Sequence, residues 1–153
     1  MNSIAYVKFN EINYVQFMSL LNKQKIRKHL MEHNTFDEKT TKEWIESKIK
    51  VNSSHGCRVR AILIENRLAG WCGIQLEDGK YEIAIVIDED YWGLGNQIFK
   101  DIMGWAKDFG HKIIYIHFLH TRPEYQFLSK ISRNVYKSEM FGNMFTTYEL
   151  AVN

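Results

Sequence analysis

The sequence predicts an α+β (α/β) fold, in which about seven strands form a mixed, mostly antiparallel sheet with about four helices, in the order β-α-α-β-β-β-α-β-α-β-β. The chain has 153 residues, 45% hydrophobic and 25% charged, which is ordinary for a globular domain. Three consecutive apolar segments in its middle are rich in β-forming residues. They are followed by a glycine-containing turn, an amphipathic helix and another strand. Because no linker rich in proline, glycine or serine divides residues 1–153, we expect a single domain.

The first third of the chain predicts one strand and two helices. Residues 4–9 alternate loosely between apolar and polar side chains, which indicates an opening strand. A helix follows, because four apolar residues recur at helical spacing: Tyr14, Phe17, Met18 and Leu21. Thr40, with Glu43 three residues later, is typical of a capping box and predicts the start of a second helix. Residues 52–56 are then expected to form a loop.

The middle of the chain predicts three successive strands, at residues 58–65, 69–76 and 81–87. Residues 65–67 provide the first turn, and the Asp-Gly pair within residues 77–80 is a strong signal for a hairpin. These three strands are therefore expected to be antiparallel neighbours.

The last part of the chain predicts a β-α-β unit and a final hairpin. A helix is indicated by five residues that share one face at helical spacing: Ile98, Ile102, Trp105, Ala106 and Phe109. Gly110 is expected to end this helix. The strand at residues 113–119 should then lie parallel to the strand before the helix, joined by a right-handed crossover. Pro123 fits the first turn of a short helix that ends near Ile131, and residues 134–140 and 144–152 predict two closing strands.

Charge and composition argue against several classes of protein. The net charge is +2, with a pI near 8.5, which is too mild to predict nucleic-acid binding, so the basic residues 23–28 are expected to form a solvated helical face. No stretch has the roughly 18 apolar residues of a membrane span, and no signal peptide is recognised. Cys57 and Cys72 fit a reduced cytoplasmic protein. No metal site is expected, because His117 and His120 should point to opposite faces of a strand.

The segment with the clearest chemical signature follows the third of the central strands. Glycines between a strand and a helix let the backbone approach an anion, and the free N–H groups at the helix start favour phosphate oxygens. The pattern lacks the lysine of a Walker loop and the third glycine of a dinucleotide-binding loop. A tight strand-to-helix turn would explain the same glycines. The candidate phosphate-binding residues are Trp92, Gly93, Leu94, Gly95, Asn96 and Gln97.

The element order, together with EIAIVIDEDYWGLGNQIFKDIMGWA, resembles the GNAT superfamily of acetyl-CoA-dependent N-acetyltransferases. The resemblance spans most of the chain and is strongest over residues 81–118. The Asp-Tyr-Trp-Gly-x-Gly run is closest to members of the ribosomal-protein N-terminal acetyltransferase type. The loop matches at Gly95, whereas Trp92 stands where Gln or Arg is usual and Gln97 where a small residue is usual.

The resemblance implies a binding mode for acetyl-CoA, with CoA as the product. The pyrophosphate would lie on residues 92–97, and the pantetheine would bind main-chain atoms of Ile85, Val86 and Ile87, where the fourth and fifth strands separate. Thr121 falls near a position that usually contacts the coenzyme. The long side chain of Gln97 would either crowd the phosphate or point away from it.

The resemblance also implies catalytic roles. Glu82 matches a position that often supplies the general base, although a solvated or ion-paired strand glutamate would look the same. Leu128 stands where a tyrosine usually protonates the leaving thiolate, and Ser132 where glycine is usual, so Tyr125 is the substitute acid, unless it is an exposed or core tyrosine.

The sequence thus predicts acetyl transfer from acetyl-CoA directly to a primary amine. The acceptor is left open among a peptide N-terminus, a polyamine, an aminoglycoside-like compound and a small metabolite. The alternative is an acyl-CoA-binding module without efficient catalysis. We expect no membrane partner and no nucleic-acid partner, and homodimerisation is a weaker expectation.

Overall fold

The computed structural model describes residues 3–23, 26, 35–119, 126–140 and 142–152. Its strands are Ile4–Val7 (β1), Arg58–Ile64 (β2), Arg67–Glu77 (β3), Lys80–Ile87 (β4), Ile113–Leu119 (β5), Ser132–Met140 (β6) and Asn143–Ala151 (β7). Its α-helices are Tyr14–Leu21 (α1), Glu38–Asn52 (α2), Gly95–Phe109 (α3) and Gln126–Ile131 (α4), and two short 3-10 helices span Phe9–Glu11 and Glu89–Leu94. The predicted α+β fold and element order are confirmed.

All seven strands belong to one sheet, in the order β1-β2-β3-β4-β5-β7-β6. Every neighbouring pair is antiparallel except β4 and β5, which are parallel and joined by α3. This is the arrangement that the predicted hairpins and the predicted β-α-β unit require.

Two predicted turns have the backbone that tight hairpins need. Glu65 and Asn66 have φ values of 51° and 67°, and Asp78 and Gly79 have φ values of 51° and 75°. Two successive residues with positive φ match the twist of the flanking strands, which explains why an Asn or a Gly occupies each turn.

The helices begin and end at residues with clear capping roles. Gly110 adopts φ 83° and ends α3 as predicted. The predicted start of α2 is wrong by three residues: Asp37 is the N-cap, and its Oδ1 accepts a hydrogen bond from the backbone N of Thr40 at 2.8 Å. Thr40 Oγ1 in turn accepts from the backbone N of Asp37 at 2.9 Å, so Thr40 completes the capping box as its second member.

Helices cover both faces of the sheet and divide the core into two clusters. On the face covered by α3 and α4, the buried cluster includes Cys72, Ile83, Ile98, Ile102, Ile114 and Leu128. On the face covered by α1 and α2, it includes Phe9, Phe17, Ile45, Val59, Ala61 and Trp71. We call these the α3 face and the α1–α2 face. No helix in the described part of the chain is long and apolar enough to span a membrane.

Candidate functional site

Strands β4 and β5 lie side by side for only two residue pairs and then separate. The parallel pairs join Glu82 to Tyr115 and Ile83 to Ile116. No later pair joins the two strands among the described residues, whereas β4 stays paired with β3 to its last residue. Although β4 is a central strand, its residues 84–87 are only partly buried. A cleft therefore opens between the carboxyl ends of β4 and β5.

The side chains along this part of β4 alternate between the two faces of the sheet. Ile85 and Ile87 pack against the core of the α3 face, and Ala84 and Val86 pack against the cluster of the α1–α2 face. The residues expected to contact pantetheine through their main chain, Ile85, Val86 and Ile87, thus lie where the two strands part.

The connection from β4 to α3 is a tight 3-10 turn rather than an open loop. Asp88 precedes the turn, and its Oδ1 accepts a hydrogen bond from the backbone N of Asp90 at 3.2 Å. The indole Nε1 of Trp92 donates to the carbonyl of Ile87 at 3.2 Å. Trp92 therefore ties the turn back to the end of β4.

The carboxylate of Asp88 is also ion-paired with the ammonium group of Lys23. Lys23 is nevertheless exposed, with 48% of its side chain accessible, so the ion pair adds a contact to a solvated residue, and the other basic residues of the segment lie outside the described part of the chain. Asp88 has little exposure, with 12% of its side chain accessible. Lys23 thus places a positive charge beside the turn that leads into α3.

The main chain at Gly93 and Gly95 has open space around it at the start of α3. Neither glycine has a positive φ, so the backbone conformation does not require glycine. Beyond the adjacent residues and the backbone of the helix itself, a Cβ built at either position meets no atom of the described residues within 4 Å. Leu94, the N-cap of α3, makes no side-chain capping bond, so the first N–H groups of the helix are not covered by a capping side chain. The backbone N–H of Gly95 itself donates to the carbonyl of Trp92, so a phosphate would rely on the N–H groups that follow it in the helix. The open space at both glycines fits a phosphate-binding cradle, because a ligand has room to approach.

The side chain of Gln97 points along α3, away from the start of the helix. Its Nε2 donates to Oδ1 of Asp101 at 3.0 Å. The other oxygen of Asp101 accepts from the hydroxyl of Tyr6 at 2.5 Å. Burial and this carboxylate together raise the pKa of Tyr6 above its ordinary value, so the phenol stays protonated. Of the two orientations considered for Gln97, the structure has the one that leaves the cradle clear.

Glu82 lies at the base of the cleft and contacts a histidine that the sequence analysis did not select. Nε2 of His117 is 3.2 Å from Oε2 of Glu82, and Nδ1 of His117 is 2.7 Å from Oγ1 of Thr147. Oγ1 of Thr147 is in turn 2.6 Å from Oγ of Ser138. The parallel register that pairs Glu82 with Tyr115 brings His117, two residues further along β5, to the same face. Knowledge of this strand register would have identified His117 as a neighbour of Glu82.

Lys48 of α2 lies next to Glu82 on the α1–α2 face. Its Nζ donates to Oε1 of Gln75 at 2.5 Å, and Gln75 pairs with Glu82 in the ladder of β3 and β4. The same Nζ lies 4.4 Å from the ring centroid of Trp71. Burial lowers the pKa of Lys48 to about 8, although the carboxylates of Glu82 and Glu77 act in the opposite direction.

Leu128 is buried in the core of the α3 face, and Ser132 Oγ donates to the carbonyl of Leu128 at 2.5 Å. Thr121, Tyr125 and His120 lie outside the described residues. Both cysteines are free and buried, and burial raises the pKa of each thiol, so neither has the thiolate of a nucleophile.

Comparison with known proteins agrees with this architecture. Residues 20–128 match the Acetyltransferase (GNAT) family. A protein from Bordetella pertussis assigned to the GnaT-family acetyltransferases aligns with a TM-score of 0.77 and 12% identity over 97% of this chain and 95% of its own. An acetyltransferase of the GNAT family from Bacillus anthracis gives 0.72 and 15% over 98% and 94%. The yncA protein from Salmonella typhimurium, assigned as an acetyltransferase and solved with its cofactor acetyl-CoA, gives 0.67 and 12% over 100% and 95%. Curated proteins gave no match.

The family match contains the features that set this fold apart. Residues 20–128 include the strands that separate, the tight turn after β4, and the open start of α3. The solved structures align with this fold over nearly their whole length. The chain therefore belongs to the acetyltransferase (GNAT) family and is an acyltransferase.

Proposed function

We propose that the protein is an N-acetyltransferase that binds acetyl-CoA in the cleft between β4 and β5 and transfers the acetyl group directly to a primary amine. The observation that supports this most strongly is the open start of α3, where Gly93 and Gly95 leave room that no other element in the described part of the chain occupies. The acetyl-CoA bound to the yncA protein, which shares this fold, supports the choice of co-substrate.

The proposed binding mode uses main-chain atoms of the cleft and of the cradle. The pyrophosphate lies against the N–H groups at the start of α3, where the helix dipole stabilises negative charge. The pantetheine makes hydrogen bonds with the main chain of residues 85–87 on the side of β4 that faces away from β3, like a strand inserted between β4 and β5. Thr121 is proposed as a further contact at the end of β5.

The acceptor is proposed to approach from the α1–α2 face, because Glu82 lies on that face. Gln75 pairs with Glu82 and Trp71 pairs with Val86, so these side chains share one side of the sheet. The buried Nε1 of Trp71 has no hydrogen-bond partner among the described residues, which leaves its N–H group available to donate a hydrogen bond to the amine substrate. The co-substrate and the amine would then meet at the cleft from opposite faces.

The proposed reaction needs no protein nucleophile. The amine nitrogen attacks the carbonyl carbon of the thioester, a C–N bond forms, and the C–S bond breaks. Glu82 accepts the proton that the amine loses, directly or through water. The coenzyme leaves as thiolate and takes a proton from Tyr125 or from solvent, because Leu128 offers no acidic hydrogen.

The acceptor class is the least constrained part of the proposal. The Asp-Tyr-Trp-Gly-x-Gly run supports peptide N-terminal amines, which therefore come first in a panel that also contains a polyamine, an aminoglycoside and small amino compounds.

We further propose that residues 1–153 form one domain located in the cytoplasm. Light scattering would show whether it forms a homodimer.

The proposal is tested in two stages. Thermal unfolding is measured with acetyl-CoA, with CoA, and with NAD and ATP as controls, and any stabilising ligand is titrated by calorimetry. At about 100 times the dissociation constant, stabilisation of roughly 2.7 kcal/mol is expected for acetyl-CoA. Thiol release is then measured with each amine. The absence of stabilisation by millimolar acetyl-CoA would overturn the proposal.

The second candidate is an acyl-CoA-binding module without efficient catalysis, which the buried Leu128 at the usual tyrosine position favours. Glu82→Gln separates the two, because it removes the proton acceptor and leaves the cradle unchanged. A loss of at least about a hundredfold in turnover, with unchanged acetyl-CoA affinity, supports the enzyme. Tight binding of acetyl-CoA without turnover of any amine supports the module.

A further inference from the structure

His117 joins the two halves of the sheet beside the cleft, and both of its ring nitrogens have partners. Glu82 on β4 lies at Nε2, and Thr147 on β7 lies at Nδ1, at distances of 3.2 and 2.7 Å. Thr147 is fully buried, and only 16% of the His117 side chain and 21% of the Glu82 side chain are exposed. These hydrogen bonds are therefore largely shielded from competition with water.

The chemistry of these groups gives the chain of hydrogen bonds a direction. An ionised carboxylate can only accept, so Nε2 of His117 must carry the hydrogen that Glu82 accepts. In the neutral imidazole Nδ1 is then an acceptor, and the Thr147 hydroxyl donates to it. The oxygen of Thr147 accepts in turn from the hydroxyl of Ser138, 2.6 Å away. Donation thus runs from Ser138 through Thr147 and His117 to Glu82.

We propose that His117 is a positioning residue that anchors one oxygen of Glu82, so that the other oxygen is presented to the amine. This role depends on the proposed acetyl transfer, in which Glu82 accepts the proton. A glutamate side chain has three rotatable bonds and can adopt many orientations. Holding one of its oxygens favours the orientations in which the other oxygen reaches the amine. Thr147 has the complementary role of donating to Nδ1 and so holding the ring in the orientation that turns Nε2 toward Glu82.

The other groups around His117 do not compete for this role. On its own strand, the Tyr115 ring stacks on it with centroids 6.5 Å apart, and the Tyr115 hydroxyl donates to Glu149 of β7 at 3.2 Å. The ammonium of Lys80 lies over the other ring, that of Tyr115, at 5.1 Å. The nearby charges are Glu82 and Lys80 of β4, Glu149 of β7 and Lys48 of α2, and among the described residues only the charge of Glu82 contacts the imidazole.

Three substitutions of His117 separate positioning from packing. The amide nitrogen of Gln can take the place of Nε2, that of Asn takes the place of Nδ1, and Ala replaces neither. His117→Gln should keep most of the turnover, whereas His117→Asn and His117→Ala should lower kcat about tenfold to a hundredfold with the KM for acetyl-CoA unchanged. Tyr115→Phe, on the same strand and face, is the matched control and should leave kcat unchanged. Equal losses in all three His117 variants would overturn the proposal.

A second measurement needs no acceptor. Two-bond nitrogen–proton correlation spectra of the whole protein report which ring nitrogen of each histidine carries hydrogen, and His117→Gln assigns the signal. We expect His117 with hydrogen on Nε2, and a less uniform tautomer in Thr147→Val. Hydrogen on Nδ1 and none on Nε2 in the unsubstituted protein would overturn the proposal even if amines are acetylated, because Nε2 could not then donate to Glu82. The expected tautomer in a protein that binds no acetyl-CoA would instead overturn the proposed function, and with it the catalytic use of His117.

Discussion

Gln97 and Asp101 are hydrogen-bonded one helical turn apart, with Nε2 of Gln97 donating to Oδ1 of Asp101 at 3.0 Å. This contact directs a long side chain along α3 from a position where a small residue is usual in the family. Because Gln97 lies on the side of the helix rather than over its first N–H groups, the cradle stays accessible.

We therefore expect Gln97→Ala to change the Kd for acetyl-CoA by less than about twofold. The substitution removes only the exposed contact with Asp101 and nothing that faces the ligand. Calorimetric titration of both proteins checks this. A tenfold change in either direction would mean that the side chain leaves Asp101 when the ligand binds.

Gly95→Ala should raise the Kd for acetyl-CoA at least about tenfold without loss of stability. The added Cβ meets no other element among the residues that the structure describes, and it enters the space that the ligand is proposed to need. Alanine also favours a helix over glycine by up to about 1 kcal/mol. Gly104→Ala is the matched control, because Gly104 lies in the same helix with equally open surroundings. An unchanged Kd in Gly95→Ala would place the phosphate elsewhere.

Gly70→Ala and Gly73→Ala should both destabilise the fold, by about 3 kcal/mol or more, because the added Cβ would clash with the main chain of a neighbouring strand, which cannot move away. A Cβ on Gly73 would lie 2.2 Å from the carbonyl of Arg58, and one on Gly70 would lie 2.0 Å from the carbonyl of Val86. Only Gly70 adjoins the part of β4 proposed to bind pantetheine, so Gly70→Ala should also weaken acetyl-CoA binding. Denaturant unfolding and calorimetry measure the two effects. Equal affinities in the two variants would contradict the proposed role of β4.

Lys48→Met should stabilise the protein most at neutral pH and least near pH 10. The folded-state pKa of Lys48 is about 8, against an ordinary value of 10.5, so the unfolded chain binds more protons between these values and stability rises with pH across that window. The cost that methionine removes is up to about 3 kcal/mol below pH 8, less the lost contacts with Trp71 and Gln75. Denaturant unfolding of both proteins at several pH values tests this. A pH-independent difference would show that Lys48 is not desolvated.

Local patterns predicted most of the fold, because its turns and helices depend on neighbours in the sequence. Asp78 and Gly79 sit at the hairpin that their types predict, and Gly110 ends α3. The start of α2 was misplaced because Thr40 fits either place in a capping box, as its first residue with Glu43 or as its last with Asp37. The structure has the second arrangement.

The candidate site was less predictable, because it depends on contacts between distant strands. The sequence selects Glu82 and the glycines of the cradle, yet His117 becomes relevant only through the pairing of Glu82 with Tyr115, which no local pattern specifies. The orientation of Gln97 likewise depends on its contact with Asp101, whose other oxygen is held by Tyr6 from β1 at the far edge of the sheet.

Only two described residue pairs join β4 to β5, fewer than join any other two neighbouring strands of the sheet. Strands β1 to β4 form one half and β5 to β7 the other, and Glu82 and His117 reach across from opposite halves. A slight shear of one half against the other would part these two side chains while every hairpin ladder remained intact. On warming or in mild denaturant, we therefore expect acetyl transfer to fail before the secondary structure melts.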